Sequence, residues 1–237
     1  MIPERRQFLG LAAAAALAPG LSLIELARAR SPEEAASALQ RWGLLVDVEK
    51  CADCDACVTA CRDENGWAGH GHPATDSQWI RKASLRDKRT GYAQTLPLMC
   101  QHCEHPPCVD VCPTGASFRR ADGIVLVDKH TCIGCRYCVM ACPFGARSLV
   151  HEPISGQKPD VPRGKGTVES CTLCVHRIDR GERPACVEAC NREGGGAMTF
   201  GDLNDAASEI HARLRSEAST PLRPDLALNP GVRYQHL

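Results

Sequence analysis

The chain has 237 residues, with 28 Lys and Arg against 28 Asp and Glu, so its formal charge is zero. That balance argues against nucleic acid as a partner. Aromatic residues make up only 4% of the chain while cysteines number sixteen, so something other than a conventional aromatic core must hold the fold together.

Residues 1–29 read as a targeting segment. Arg5-Arg6-Gln7-Phe8-Leu9 resembles a twin-arginine export signal, and an apolar stretch runs from Leu9 to Ile24, softened by Gly10, Pro19, Gly20 and Ser22. Ala27-Arg28-Ala29 supplies a small-x-small cleavage site. The stretch falls short of the ~20 apolar residues of a membrane span. An amphipathic helix starting after Pro3 would explain the alanine run but not the paired arginines. Removal of residues 1–29 would leave a charge of about −1. No later apolar run approaches a span, so membrane contact is expected only through a partner.

Residues 30–42 are polar and helix-prone, a linker into the fold. Gly43 to Val48 reads as a strand entering the first cysteine loop. Trp79 to Leu85 and Tyr92 to Leu96 predict a hairpin around an Arg86–Gly91 turn. Ala116 to Arg119 and Ile124 to Val127 flank Ala121-Asp122-Gly123, a second hairpin signal. Ala197 to Phe200 is a short strand. Asp205 to Leu214 places Ala206, Ile210 and Leu214 at helical spacing. After Thr220, Pro221, Pro224 and Pro230 predict an extended tail laid on the surface or on a partner.

The cysteines fall into four groups of four: Cys51-Cys54-Cys57-Cys61, Cys100-Cys103-Cys108-Cys112, Cys132-Cys135-Cys138-Cys142 and Cys171-Cys174-Cys186-Cys190. Four thiolates are what one [4Fe–4S] cubane needs, so the chain counts out four clusters. The third group is the C-x2-C-x2-C-x3-C-P run of two-cluster ferredoxins, whose fourth cysteine serves the neighbouring cluster. The first group shares its spacing, the second stretches one gap to x4, and the fourth stretches one gap to x11. Structural zinc uses two cysteine pairs per metal rather than three close thiolates and a displaced fourth. Disulfides are the other use of an even cysteine count in an exported chain. A zinc- or disulfide-stapled interaction module is therefore the alternative of another class.

The order of groups and hairpins is a duplication nested in itself. The fold class expected is α+β, with two two-cluster ferredoxin-like modules of short strands and cysteine-rich loops. The inner module covers about residues 96–152. The outer one covers 43–95 plus 165–204, and residues 205–237 form the C-terminal helix and tail. Nesting predicts the ligand sets: Cys51, Cys54, Cys57 and Cys190; Cys171, Cys174, Cys186 and Cys61; Cys100, Cys103, Cys108 and Cys142; Cys132, Cys135, Cys138 and Cys112. Clusters are assembled in the cytoplasm, so an exported chain must cross folded, as twin-arginine cargo does. The expected location is thus the periplasm.

From about Trp42 to Phe200 the chain resembles the four-cluster ferredoxin subunits of membrane-associated oxidoreductase complexes, including those of polysulfide, tetrathionate and nitrite reductase systems. Some members replace one ligand, often the third of the second group, and hold a [3Fe–4S] cluster. Here that position is Cys108, so the resemblance implies four cubanes. Arg41 to Asp47, Ala146 to Glu152, Gly166 to Cys171 and Phe200 to Asp205 resemble the DsrO branch, the periplasmic iron–sulfur subunits of DsrMKJOP complexes in dissimilatory sulfur metabolism. The resemblance implies an electron-transfer subunit without catalysis of its own. An NrfD-type quinone-reactive integral membrane subunit would dock at one end, and a multihaem cytochrome c or other redox subunit at the other. The electron-transfer subunit of a molybdopterin reductase shares the chemistry and differs in partner.

No nucleophile, phosphate loop, open metal site or C-x-x-C-H haem motif stands apart from the cysteines. Lys50, Arg62, Arg136 and Arg177 sit beside ligands and would raise nearby potentials unless they are solvated surface charges. His102, His105, His151 and His176 are read as hydrogen-bonding or surface residues. Gly115, Gly134 and Gly145 are read as serving tight loops.

Overall fold

The computed structural model describes residues 36–237 apart from 52, 53 and 73. The targeting segment at 1–29 and the start of the linker lie outside the described residues. No helix among those described is long and apolar enough to cross a membrane.

Strand β1 (Trp42–Asp47) enters the first cysteine loop, and helix α1 (Ala56–Asn65) leaves it carrying Cys57 and Cys61. The helix stops at Gly66, whose left-handed backbone (φ 67°) lets its N–H bond the Arg62 carbonyl. β2 (Ile80–Arg86) and β3 (Ala93–Met99) form the first expected hairpin. One-turn α2 (Pro107–Asp110) follows, with Pro107 at its first position and Cys108 buried. β4 (Ser117–Arg119) and β5 (Val125–Val127) form the second expected hairpin.

Next come α3 (Tyr137–Ala141), β6 (Ser148–Leu149) and β7 (Val168–Glu169), the last two paired antiparallel. The short α4 (Val175–Ile178) precedes α5 (Ala185–Glu193), which buries Cys186 and Cys190. β8 (Met198–Asp202) then runs antiparallel to β1, Leu44 opposite Phe200. Helices α1 and α5 pack together, as do α2 and α3. The helices thus pair outer with outer and inner with inner. The strands do not follow this division, because β3 pairs with β2 and β6 with β7.

Helix α6 (Glu209–Ser216) begins four residues later than its apolar spacing suggests. Asp205 accepts from the Ala207 N–H in a turn, and the Ser208 hydroxyl accepts from the His211 N–H, so Ser208 is the N-cap. The larger departure is the tail. β9 (Val232–Gln235) runs parallel to β1, giving a three-stranded sheet ordered β8-β1-β9. Val232 and Tyr234 point into the core and are fully buried. The prolines end at Pro230, and the Val232/Tyr234 alternation after them is a strand signal that the proline content obscures.

Cysteines occupy the middle of the main core beside Leu44, Val46, Trp79, Ile80, Leu96 and Tyr234. The Tyr234 hydroxyl donates to the Pro97 carbonyl (3.0 Å) and accepts from Gln101 Nε2 (3.2 Å). The tail is thereby tied to the approach of the second cysteine loop. Tyr234→Phe should lower the stability of the cluster-loaded protein by about 1 kcal/mol. Tyr234→Ala should cost about 3–5 kcal/mol, both read as shifts in thermal midpoint. A surface-laid tail would leave both unchanged.

Candidate iron–sulfur sites

The cysteines stand as thiols, not disulfides. Burial, followed by the neighbouring Cys190, Cys51 and Cys54, pushes the Cys57 thiol up to about 12. Cys61, on the same helix, instead lies by Cys174. Cys186 is raised well above its ordinary value by burial and then by Cys61 and Cys174. Cys61, Cys171, Cys174 and Cys186 line one cavity of about 340 Å³. Cys100 and Cys103 are each pushed up to about 12 by burial, and each has Cys108 and Cys142 as neighbours. Cys112, Cys132, Cys135 and Cys138 line a cavity of about 290 Å³. The structure therefore assembles four quartets, each of three cysteines from one sequence group and one from another.

The quartets follow one another in series. Cys186 of the second lies within electrostatic reach of Cys57 of the first. Cys171 of the second reaches Cys100 of the third, and Cys108 of the third reaches Cys138 of the fourth. At the ends of the series Cys51 and Cys54 are half-buried, and Cys135 is exposed.

The loops are built for close approach of backbone to sulfur. In the first C-x2-C of the second, third and fourth groups, the residue before the second cysteine is left-handed: His102 (φ 43°), Gly134 (φ 70°) and Leu173 (φ 56°). Two of these are not glycine, and such a conformation stores about 1–3 kcal/mol of strain. The turn directs N–H groups inward, and the Leu173 N–H donates to Cys171 Sγ at 3.3 Å. The Ser117 N–H donates to Cys112 Sγ (3.3 Å) and the Val168 N–H to Cys132 Sγ (3.4 Å). Burial opposes ionisation of Cys112, yet the donors around it, Ser117 first, bring its thiol below the ordinary value. Side chains add to this in the second quartet. Trp67 Nε1 donates to Cys61 Sγ (3.3 Å), and Asn65 Nδ2 reaches both Cys61 Sγ (3.5 Å) and Cys174 Sγ (3.8 Å).

The donor set fits a cubane better than a single ion. Among the described residues no three Cys, His, Asp or Glu side chains converge where one metal ion would sit. The sulfurs of the second and fourth quartets instead surround wider spaces, as a cluster with a metal at each of several corners requires. Metal binding would remove the protons that burial otherwise keeps on thiols such as Cys57, Cys100 and Cys186.

Charges beside the ligands are mostly neutralised by carboxylates or lie at the surface. Lys50 pairs with Asp47 (2.9 Å), and Arg177 with Glu188 (2.6 Å) and Glu64 (3.0 Å). Arg62 lies over the Trp67 ring, and Arg136 is exposed. Of these, Arg177 does act on a ligand, Cys174. His102 accepts the Val125 N–H through Nδ1 (3.1 Å), and burial pushes its imidazole down to about 4, so it stays neutral. His176 bonds Glu64 (2.8 Å), while His105 and His151 are exposed. Gly115 and Gly145 are left-handed like Gly134. Sequence reasoning missed Asn65, Trp67 and Arg147. The available signal was Asn65, a polar residue one helical turn past Cys61, with the indole of Trp67 two residues later; nothing in the sequence singled out Arg147.

Two variants test this geometry. A Cβ on Gly134 would collide with the Gly166 carbonyl oxygen, whereas one on left-handed Gly156 meets nothing within 4 Å. Gly134→Ala should lose up to one cluster's worth of iron. Gly156→Ala should keep full iron and cost only about 1–2 kcal/mol of backbone strain. Trp67→Phe should keep full iron while lowering one of four reduction potentials. The lost hydrogen bond is worth roughly 1 kcal/mol, or about 40 mV for one electron.

Two family models match, each described as a 4Fe-4S dicluster domain, at residues 90–203 and 50–116. Two dicluster domains correspond to four [4Fe–4S] clusters, in agreement with the sixteen cysteines. The Hdr-like menaquinol oxidoreductase iron-sulfur subunit 1 of Archaeoglobus fulgidus is 44% identical over 99% of this chain and 98% of its own length. A tetrathionate reductase subunit of Salmonella typhimurium is 38% identical over 99% of this chain and 88% of its own. Protein NrfC of Escherichia coli is 37% identical over 80% of this chain and 78% of its own.

Proposed function

Because the chain belongs to the 4Fe-4S dicluster electron-transfer subunits of oxidoreductase complexes, we propose that it is the periplasmic wire of a quinone-linked complex of the DsrO type, serving dissimilatory sulfur metabolism. The four spatial quartets are its ligand sets: Cys51, Cys54, Cys57 and Cys190; Cys61, Cys171, Cys174 and Cys186; Cys100, Cys103, Cys108 and Cys142; Cys112, Cys132, Cys135 and Cys138. A bound [4Fe–4S] cluster takes up and releases one electron at a time. The chain supplies the order. The carrying observation is the serial order of the quartets, with Cys57 and Cys186, Cys171 and Cys100, and Cys108 and Cys138 each within electrostatic reach.

The ends serve partners. Around exposed Cys135 stand Ile133, Tyr137 and Met140, all exposed. An apolar surface beside the last quartet suits a docked redox subunit, since it excludes water from the transfer path. An NrfD-type quinone-reactive membrane subunit and a multihaem cytochrome c or similar redox subunit are the proposed partners at the two ends. Support for the quinone link comes from the menaquinol oxidoreductase named for one relative, and for sulfur chemistry from the tetrathionate reductase and sulfite dehydrogenase named for others. The paired arginines Arg5 and Arg6, with the apolar stretch after them, support export in the folded state. A second reading, the electron-transfer subunit of a molybdopterin reductase, draws on the same tetrathionate reductase relative.

Affinity purification of the tagged chain from gently solubilised membranes, with mass spectrometry of its partners, separates the two. A multihaem cytochrome with polytopic quinone-site subunits is expected. A molybdopterin subunit in their place would overturn the DsrO-type assignment. Anomalous scattering at the iron edge should place one cluster within bonding distance of Cys61, Cys171, Cys174 and Cys186. Iron shared by Cys51, Cys54, Cys57 and Cys61 would overturn the ligand sets.

A further inference from the structure

Arg147 lies between α3 and β6 with only 4% of its surface exposed. None of its three guanidinium nitrogens has an oxygen partner, and the hydrogen-bonding neighbour it does have is the Cys138 sulfur. Among the described residues the other buried arginine, Arg163, behaves in the usual way: it forks onto Glu169 at 2.7 and 2.9 Å. A buried guanidinium without an anion is a large free-energy cost, and proteins do not keep one idle. Arg147 cannot swing out to water. Its loop is held by Arg81, which donates to the Phe144 and Gly145 carbonyls (3.2 and 2.9 Å), and by the buried Ala146.

The groups acting on Arg147 are Cys108 and Cys100 of the third quartet and Cys138 of the fourth. Four thiolates on a cubane make a net anion that becomes more negative when it takes an electron. A fixed positive charge beside it favours the reduced form. We propose that Arg147 is the shared counter-charge of the third and fourth clusters, holding the reduction potentials of both above the values they would otherwise have. One charge serves both, so the two potentials move in the same direction and the step between them changes less than either. The inference rests on the ligand sets proposed above.

The test is potentiometric titration followed by electron paramagnetic resonance on wild type, Arg147→Gln and Arg147→Lys, each with its iron counted. Wild type must first show four clusters, and fewer would mean that the ligand reading fails. In Arg147→Gln two of the four transitions should move to lower potential by at least tenfold in the one-electron equilibrium, about 59 mV, while the other two stay. Arg147→Lys, whose ammonium sits on a shorter stem, should lie between. If Arg147→Gln loads incompletely, Arg147→Lys decides: a downward shift of the same two transitions supports the inference. Four unchanged transitions in a fully loaded variant, or all four moving together, overturn it.

Discussion

The whole structure depends on bringing sixteen sulfurs, most of them buried, into four tight quartets. Left as thiols, many of them resist ionisation, because burial, with neighbouring sulfurs adding to it at most of them, pushes Cys57, Cys61, Cys100, Cys103, Cys108, Cys171, Cys174 and Cys186 upward. The same burial that makes the sites dry makes them unfavourable for bare thiolates. Metal resolves the conflict by taking the negative charge, and in doing so it closes long loops. Cys61 and Cys171 are brought together across more than a hundred residues, as nesting requires. Closing such a loop carries an entropic cost that rises only slowly with length, so an outer module can enclose an inner one without prohibitive loss. Folding and metal loading are then linked in one equilibrium.

This explains an aromatic-poor core. Trp79 and Tyr234 are among the few large buried rings, and the packing of α1 on α5 and α2 on α3 centres on cysteines. The extra strand β9 completes the arrangement from outside the ferredoxin pattern. It shields β1, which would otherwise present an open sheet edge, and its Tyr234 ties the last residues to the second loop. The sheet β8-β1-β9 is thus a lid on the outer module, built from segments that carry no ligand.

Cysteine spacing made the quartets legible because cluster geometry is stricter than secondary structure. The x2 gaps fix a loop, and the x3 gap fixes the fourth sulfur one helical turn away, facing elsewhere. The two hairpins were legible through Arg86 to Gly91 and Ala121-Asp122-Gly123, where turn residues separate apolar runs. β9 was not, since three prolines in the preceding eleven residues mask a four-residue strand. The start of α6 was displaced for a local reason, the competition of Asp205 and Ser208 side chains for backbone N–H groups. Arg147 could not be singled out from sequence, since an arginine after Gly145-Ala146 reads as surface until its burial and lack of an oxygen partner are known. Lys50 and Arg177, adjacent to ligands in sequence, are neutralised by carboxylates in space.

Four equal ligand sets need not give four equal clusters. Cluster potentials respond to hydrogen bonds on sulfur, nearby charge and solvent, and the chain distributes these unevenly. The second quartet is fully buried and receives an indole, an amide and a backbone N–H. The third is flanked by a guanidinium with no carboxylate to neutralise it. The fourth has two backbone donors and an exposed cysteine. A wire built only from repeated cysteine motifs would be energetically uniform. Here the variation comes from residues between the motifs, and those residues, rather than the ligands, set how the steps along the chain are graded.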